Sequence, residues 1–176
     1  PAISMYKMNL EEIKKGYVVS LEGQGGDEAL GGYLSHTILA LKDIYDQNKN
    51  NTLIEDLLSE NNLNISASLK LASQFIESGF RAHTDLTDLK NVELNKARKN
   101  KNWLLTIQLY DVLENKIPRT MRFHDRISAA CSRELRFPFL DYRVLESGLQ
   151  FTNDVRYKNG ISKYPLKNII HRYLPE

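Results

Sequence analysis

The run Tyr17-Val18-Val19-Ser20-Leu21, followed by Gly23-Gln24-Gly25-Gly26-Asp27-Glu28, constrains this chain more than any other segment. It is short, rich in β-formers and nearly continuous in apolar character, which suits a strand buried on both faces of a parallel sheet. Three closely spaced glycines then permit a tight turn, and the acidic pair suits the first turn of a helix. Upstream, Met5, Met8 and Ile13 fall near helical spacing between Ser4 and Lys15, and Gly16 after two lysines reads as the stop. The order is helix, strand, glycine turn, helix. No second strand is legible, and a lone strand cannot satisfy its own backbone groups, so sheet partners are expected outside this sequence.

Beyond Tyr33 the pattern turns helical. Helices are expected over His36–Tyr45, Leu53–Ser59, Ser66–Ser78, Asp85–Lys99 and Trp103–Leu113, with a loop at Asp46–Asn51. Asn95–Asn102, though basic, reads as a solvated helix end. Pro118 opens a further helical segment ending near Arg136, and Arg136-Phe137-Pro138-Phe139-Leu140-Asp141 leads into a helix through Leu149. A last helix, Leu166–Tyr173, stops before Pro175. The chain opens in mid-pattern without an initiator Met, so residues 1–176 are expected to be a piece of one larger domain.

Charge and cysteine usage narrow the partners. With 24 basic and 22 acidic side chains the formal net charge is +2, too small and too dispersed for nonspecific nucleic-acid binding. The single cysteine, Cys131, forms no internal disulfide and reads as a small buried residue. His36, His83, His124 and His171 show no metal-ligand spacing and read as surface or packing residues, while Trp103 and Tyr110 read as core. No apolar run reaches membrane-spanning length and Pro1 to Leu10 lack the charged start and apolar middle of a signal peptide, so a cytoplasmic location is expected.

The glycine turn carries the chemistry. Backbone N–H groups turned outward at such a place can receive phosphate oxygens, and Asp27 can hold Mg²⁺ bridging pyrophosphate oxygens. A connector whose glycines only turn the chain and whose acids only cap a helix explains the same residues. Generic patterns leave both open: Glu28 stands where the dinucleotide fingerprint needs its third glycine, and the Lys-Ser/Thr ending of a P-loop is missing.

Three segments together resemble the synthetase domain of glutamine-dependent asparagine synthetases. Val18-Val19 through Gly31-Gly32-Tyr33 is similar to that family's strand, Ser-Gly-Glu-Gly-x-Asp-Glu turn and Gly-Gly-Tyr helix. Arg122-Phe123-His124-Asp125-Arg126, with Glu134-Leu135-Arg136-Phe137-Pro138-Phe139-Leu140-Asp141, resembles its Asp-Arg and Glu-x-Arg-x-Pro-Phe-Leu-Asp pattern. Gly160-Ile161-Ser162-Lys163 through Leu174-Pro175 resembles its Gly, Lys and closing Leu-Pro. The likeness covers residues 1–35 and 117–175 well; the middle matches only in being helical.

The resemblance implies a mostly α chain, the helical C-terminal portion of an α/β N-type ATP-pyrophosphatase domain. It implies that aspartate is adenylated by ATP with Mg²⁺, releasing pyrophosphate, and then amidated by ammonia from glutamine. Gly23, Gly25 and Gly26 would line the phosphates, Asp27 would coordinate Mg²⁺, Glu28 and Arg136 would assist binding, and Lys163 would neutralise nucleotide charge. Glu134 would sit close behind the site, Lys158 is a weaker substitute for Lys163, and Arg122 and Arg126 either reach substrate carboxylate or phosphate or pair with Asp125 or another acid. Gln24 stands where the family carries Glu; it can orient by hydrogen bonding but cannot take a proton. The family's Ser-Gly-Gly-x-Asp-Ser loop is not in this sequence, so the isolated chain is expected to be inactive without the upstream polypeptide and its glutaminase domain. A homodimer is compatible with the reading. Two competitors remain: a relative closing a β-lactam or peptide ring, and a noncatalytic helical scaffold with a degenerate site.

Overall fold

The computed structural model describes residues 2–47, 51–78 and 92–174. Helix α1 (Ala2–Lys14) leads to strand β1 (Val19–Leu21), the short helix α2 (Gly26–Leu30) and the longer α3 (Leu34–Asp46), α4 (Asn51–Glu60) and α5 (Ile65–Glu77). After residues 79–91 come α6 (Val92–Lys99), α7 (Trp103–Leu113), α8 (Lys116–Ala130) and strand β2 (Glu134–Arg136). A 3-10 turn (Pro138–Leu140), α9 (Tyr142–Gln150), α10 (Asn153–Arg156), a second 3-10 turn (Lys158–Gly160) and α11 (Tyr164–Ile170) complete the order. Among the described residues the chain is mostly helical, with one small two-stranded parallel sheet. His83, Pro175, part of the Asp46–Asn51 loop and the start of the helix expected from Asp85 lie outside the described residues.

Local chemistry accounts for the main boundaries. At the end of α1, Gly16 adopts φ +86°, Tyr17 N–H donates to Glu12 O at 3.0 Å and Gly16 N–H to Ile13 O at 2.9 Å, a Schellman motif. Asn64 caps α5 by accepting from Ala67 N–H at 3.1 Å, and Asn102 caps α7 by accepting from Leu105 N–H at 3.1 Å. Asp141 caps α9 through Arg143 N–H, and the Arg143 guanidinium on the same carboxylate holds it down at about 2.

The core forms around α3, which is buried on nearly every side. Leu39 and Leu41 of α3, Leu57 of α4, Ala72 of α5 and Leu104 of α7 meet there with no more than 1% exposure. Each fully buried leucine contributes about 1.5–3 kcal/mol by leaving water. The middle of the chain, matched by resemblance only as helical, is therefore what supports the rest. Among the described residues no helix is long and apolar enough to cross a membrane.

Two expectations about the sheet need correction. The helix expected to run from Pro118 to near Arg136 ends at Ala130; Ser132 turns into the left-handed region at φ +55°, and Glu134–Arg136 is a strand. That strand is the partner of β1, in parallel register Val19↔Glu134, Ser20↔Leu135, Leu21↔Arg136. A partner thus exists within the sequence. Nor is β1 buried on both faces: Val19 is 45% and Leu21 73% exposed, and Tyr17 and Val18 before them are also open. Among the described residues β2 lies along one edge of β1 and no strand lies along the other.

Arg133 ties the sheet to α1. Its guanidinium, 6% exposed, donates to Tyr17 O at 3.0 Å and Asn9 Oδ1 at 2.7 Å, and also reaches Glu12 and Ser20. Four acceptors on α1, on β1 and on the turn between them offset the cost of burying this charge.

Candidate functional site

The glycine turn and the Lys163 segment converge. Lys163 Nζ donates to Asp27 Oδ1 at 2.7 Å, with both side chains about a third exposed to solvent. Lys163 itself sits at φ +55°, ψ 32°, the left-handed region that non-glycine residues rarely occupy, immediately before α11. Pro165 follows at the start of α11, where its fixed φ suits the first turn. Helix α11 begins at Tyr164, two residues before the expected Leu166, so Lys163 is its N-cap.

The turn is held from below. Gly25 adopts φ +99° and heads α2; a Cβ there would lie 2.4 Å from Leu140 Cδ2. Gly26 N–H turns back to Gly23 O at 3.4 Å, and the main-chain ladder of α2 starts only at Ala29 N–H to Gly25 O, 2.9 Å. The amides of Asp27 and Glu28 are therefore first-turn donors without an intrahelical acceptor. Gly32 lies against the ion pair, since a Cβ on it would fall 1.8 Å from Asp27 Oδ1 and 2.9 Å from Lys163 Cδ. Gly32 thus clears space for Asp27 and Lys163, and Gly31 for the Tyr157 hydroxyl, which a Cβ there would meet at 2.5 Å.

Beneath the turn, Gln108 donates to Glu28 O at 2.7 Å and Ala29 O at 2.9 Å, satisfying carbonyls at the far end of α2. Arg156 Nη1 donates to Gln108 Oε1 at 2.8 Å, and Nη2 to Gly148 O and Leu149 O. Burial lowers the Arg156 pKa to about 10, against the weaker opposing pull of Tyr157 and Asp43. Tyr157, fully buried, donates its hydroxyl to Gly31 O at 3.0 Å.

Glu28 faces the interior at 2% exposure rather than the phosphate side expected for it, and accepts from Tyr33 OH at 2.7 Å. Burial and this carboxylate raise the phenol pKa well above its usual value. Lys116 Nζ stands 3.4 Å over the Tyr33 ring and donates to Asp111 Oδ2 at 2.7 Å, which His36 Nε2 also meets at 3.0 Å. Burial pushes His36 down, while its imidazole and Lys116 hold Asp111 low. This network of Glu28, Tyr33, Lys116, Asp111 and His36 was not legible in the sequence. Its signal there is the charged run Asp111, Glu114 and Lys116 at the end of an apolar helical stretch.

The other expected site residues are placed as follows. Gln24 is half-buried and lines a cavity between the turn, α1 and α8, and Gly23 faces open space. Arg136 is 62% exposed and its Nε donates to Glu134 Oε1 at 2.7 Å, with no contact to Asp27 or Lys163 among the described residues. In a helix that pair would face apart; in a strand, residues two apart share a face. Lys158 lies 5.3 Å from the Tyr164 ring. Arg122 donates to Pro118 O at 3.2 Å, and among the described residues neither Arg122 nor Arg126 forms an ion pair with Asp125. Cys131 is buried near Tyr6 O.

Metal capacity at the turn is modest. Among the described residues no group of three His, Cys, Asp or Glu side chains gathers into a cation site. Among the described residues Asp27 Oδ2 nevertheless has no hydrogen-bond or ion-pair partner, while Oδ1 takes Lys163. One carboxylate oxygen is what Mg²⁺ takes from a protein when water and phosphate supply the remaining ligands.

No curated protein and no solved structure matches this chain. A family model described as "Asparagine synthase" matches residues 2–176.

Proposed function

The chain belongs to the asparagine synthase family of ATP-using, amide-forming ligases, and we propose that it serves in the activation half of that reaction. In this reading the intact protein adenylates the side-chain carboxylate of aspartate, releases pyrophosphate, and amidates the acyl-adenylate with ammonia drawn from glutamine. The observation that carries it is the Lys163–Asp27 contact, which joins two motifs 136 positions apart at the mouth of the glycine turn. Gly23, Gly25 and Gly26 give the phosphates close approach to backbone, and Lys163 neutralises charge on the leaving group. Mg²⁺, when bound through Asp27, supplies charge to the pyrophosphate oxygens. Lys163 and Asp27 hold each other until then.

The same reading makes the domain an N-type ATP-pyrophosphatase fold whose further strands continue along the open edge of β1. The exposure of Val19 and Leu21 and the unpaired edge support it. Arg136, at the end of β2, would reach nucleotide only by leaving Glu134. The upstream polypeptide with its glutaminase domain, a homodimeric assembly and a cytoplasmic setting belong to the proposal as well.

The test is pyrophosphate release by the intact protein with ATP and Mg²⁺. Release that requires aspartate supports the proposal. Release that ignores aspartate but answers to a larger carboxylic acid favours β-lactam or peptide-ring closure. Absence of release, together with no Mg²⁺-pyrophosphate binding by either the native protein or Asp27→Ala, favours the noncatalytic scaffold.

A further inference from the structure

Lys163 reaches Asp27 from a stretch of chain whose backbone enters the left-handed region at Asn159 (φ +54°), Gly160 (φ +72°) and Lys163 (φ +55°). Such a conformation is unfavourable at non-glycine residues and persists only where surrounding contacts impose it. Two contacts are placed to do so. At the root of the stretch the fully buried Tyr157 donates its hydroxyl to Gly31 O at 3.0 Å, which ties it to the end of α2. In its middle, Gly160 lies against the last turns of α4, where a Cβ would stand 2.3 Å from Asp56 O and 2.8 Å from Glu60 Cγ. Just past α4, Asn61 Nδ2 donates to Leu57 O at 2.9 Å and, more weakly, to Gly160 O at 3.5 Å. Helix α4 is itself fixed in the core through Leu53 and Leu57.

We propose that α4 is the seat from which Lys163 is aimed, and that Gly160 is a positioning residue acting through Lys163. The inference rests on the adenylating function proposed above and adds the origin of the lysine's geometry. That origin is a helix in the middle of the chain, where the family likeness extends only to being helical. A lysine stem is long and flexible, so the place of its ammonium is set by where its backbone is held. Any side chain at Gly160 meets a main-chain carbonyl of a packed helix, which does not give way; the stretch leading to Lys163 must lift instead, by about 1 Å to regain ordinary contact distance. A displacement of that size at a charge-neutralising group is worth about a hundredfold in rate.

The experiment uses the intact protein. In Gly160→Ala, kcat for ATP-dependent pyrophosphate release falls about a hundredfold while KM for ATP changes less than about threefold. In a Lys163→Gly background the same substitution costs nothing further, as it must if one residue acts through the other. A second readout needs no turnover: acetylation of Lys163 by acetic anhydride in nucleotide-free protein, followed by peptide mass spectrometry, is severalfold faster in Gly160→Ala because the contact with Asp27 is loosened. Undiminished kcat, a further loss in the Lys163→Gly background, or an unchanged acetylation rate each overturns the proposal. Should Gly160→Ala not fold, one glycine is inserted between Ile161 and Ser162, which leaves Tyr157 and Gly160 in place and frees Lys163 from them. The same fall in kcat at constant KM then supports the proposal, and undiminished kcat overturns it. Absence of pyrophosphate release from the native protein fails the adenylating reading itself, and this inference falls with it.

Discussion

Lys163 Nζ and Asp27 Oδ1 meet at 2.7 Å although 136 positions separate them, and Lys163 makes the contact from a left-handed backbone at φ +55°. Partly exposed ion pairs contribute at most about 1 kcal/mol, and left-handed backbone at a non-glycine residue costs on the order of 1 kcal/mol. The pair therefore adds little net stability, in keeping with the ligand-binding role proposed for it. Lys163→Gly is expected to leave the melting temperature equal or higher, because glycine relieves the backbone. The same variant of the intact protein should lose about a hundredfold in ATP-dependent pyrophosphate release. Scanning calorimetry and a pyrophosphate assay check the two halves.

Gly32→Ala probes the same place by volume alone. The new methyl would stand 1.8 Å from Asp27 Oδ1, so the carboxylate must swing aside. A flexible side chain moves cheaply, and the stability change is expected to stay within about 1 kcal/mol. Mg²⁺-pyrophosphate affinity, read by calorimetric titration into the intact protein, should drop at least tenfold. Unaltered affinity would count against Asp27 as the metal ligand.

Gln108→Leu removes the support beneath α2. It strips donors from Glu28 O and Ala29 O and leaves Arg156 Nη1 buried without its acceptor. Loss of about 3 kcal/mol is expected in urea unfolding, since unpaired buried groups carry most of the penalty. Arg156→Met in the same background should recover part of it by deleting the stranded charge.

Much of the local structure was legible in the sequence. Gly16 marks the end of α1, Trp103–Leu113 bounds α7, and Asp27 and Glu28 open α2, because each is set by near neighbours. What escaped was set by distant ones. The strand Glu134–Arg136 is three residues long, too short for a period of two to show, and its partner β1 lies more than a hundred positions earlier. Glu28 reads as a first-turn acid, yet the approach of Tyr33 and α7 turns it inward. The meeting of Asp27 with Lys163 was not predictable from spacing; only the resemblance linked the two, each as a member of a different motif.

Asp43 supplies a pH signature. Its carboxylate caps α7 by accepting from Trp103 N–H and Leu104 N–H at 2.9 Å each, but burial dominates and raises its pKa from 3.8 to about 6. A raised acid binds its proton more tightly folded than unfolded, so its contribution is full below about pH 4 and is lost as pH rises through about 6. The upper bound is about 3 kcal/mol at 1.36 kcal/mol per unit. Urea midpoints measured between those values should fall with rising pH more steeply in the native chain than in Asp43→Asn. Parallel profiles would contradict the assignment.

Leu21 and Arg136 are register partners, and four residues beyond each, Gly25 and Leu140 meet at van der Waals range. The two connecting stretches are thus a matched pair of equal length. An insertion or deletion in either one shears the helix start past the 3-10 turn, so the two stretches can change length only together.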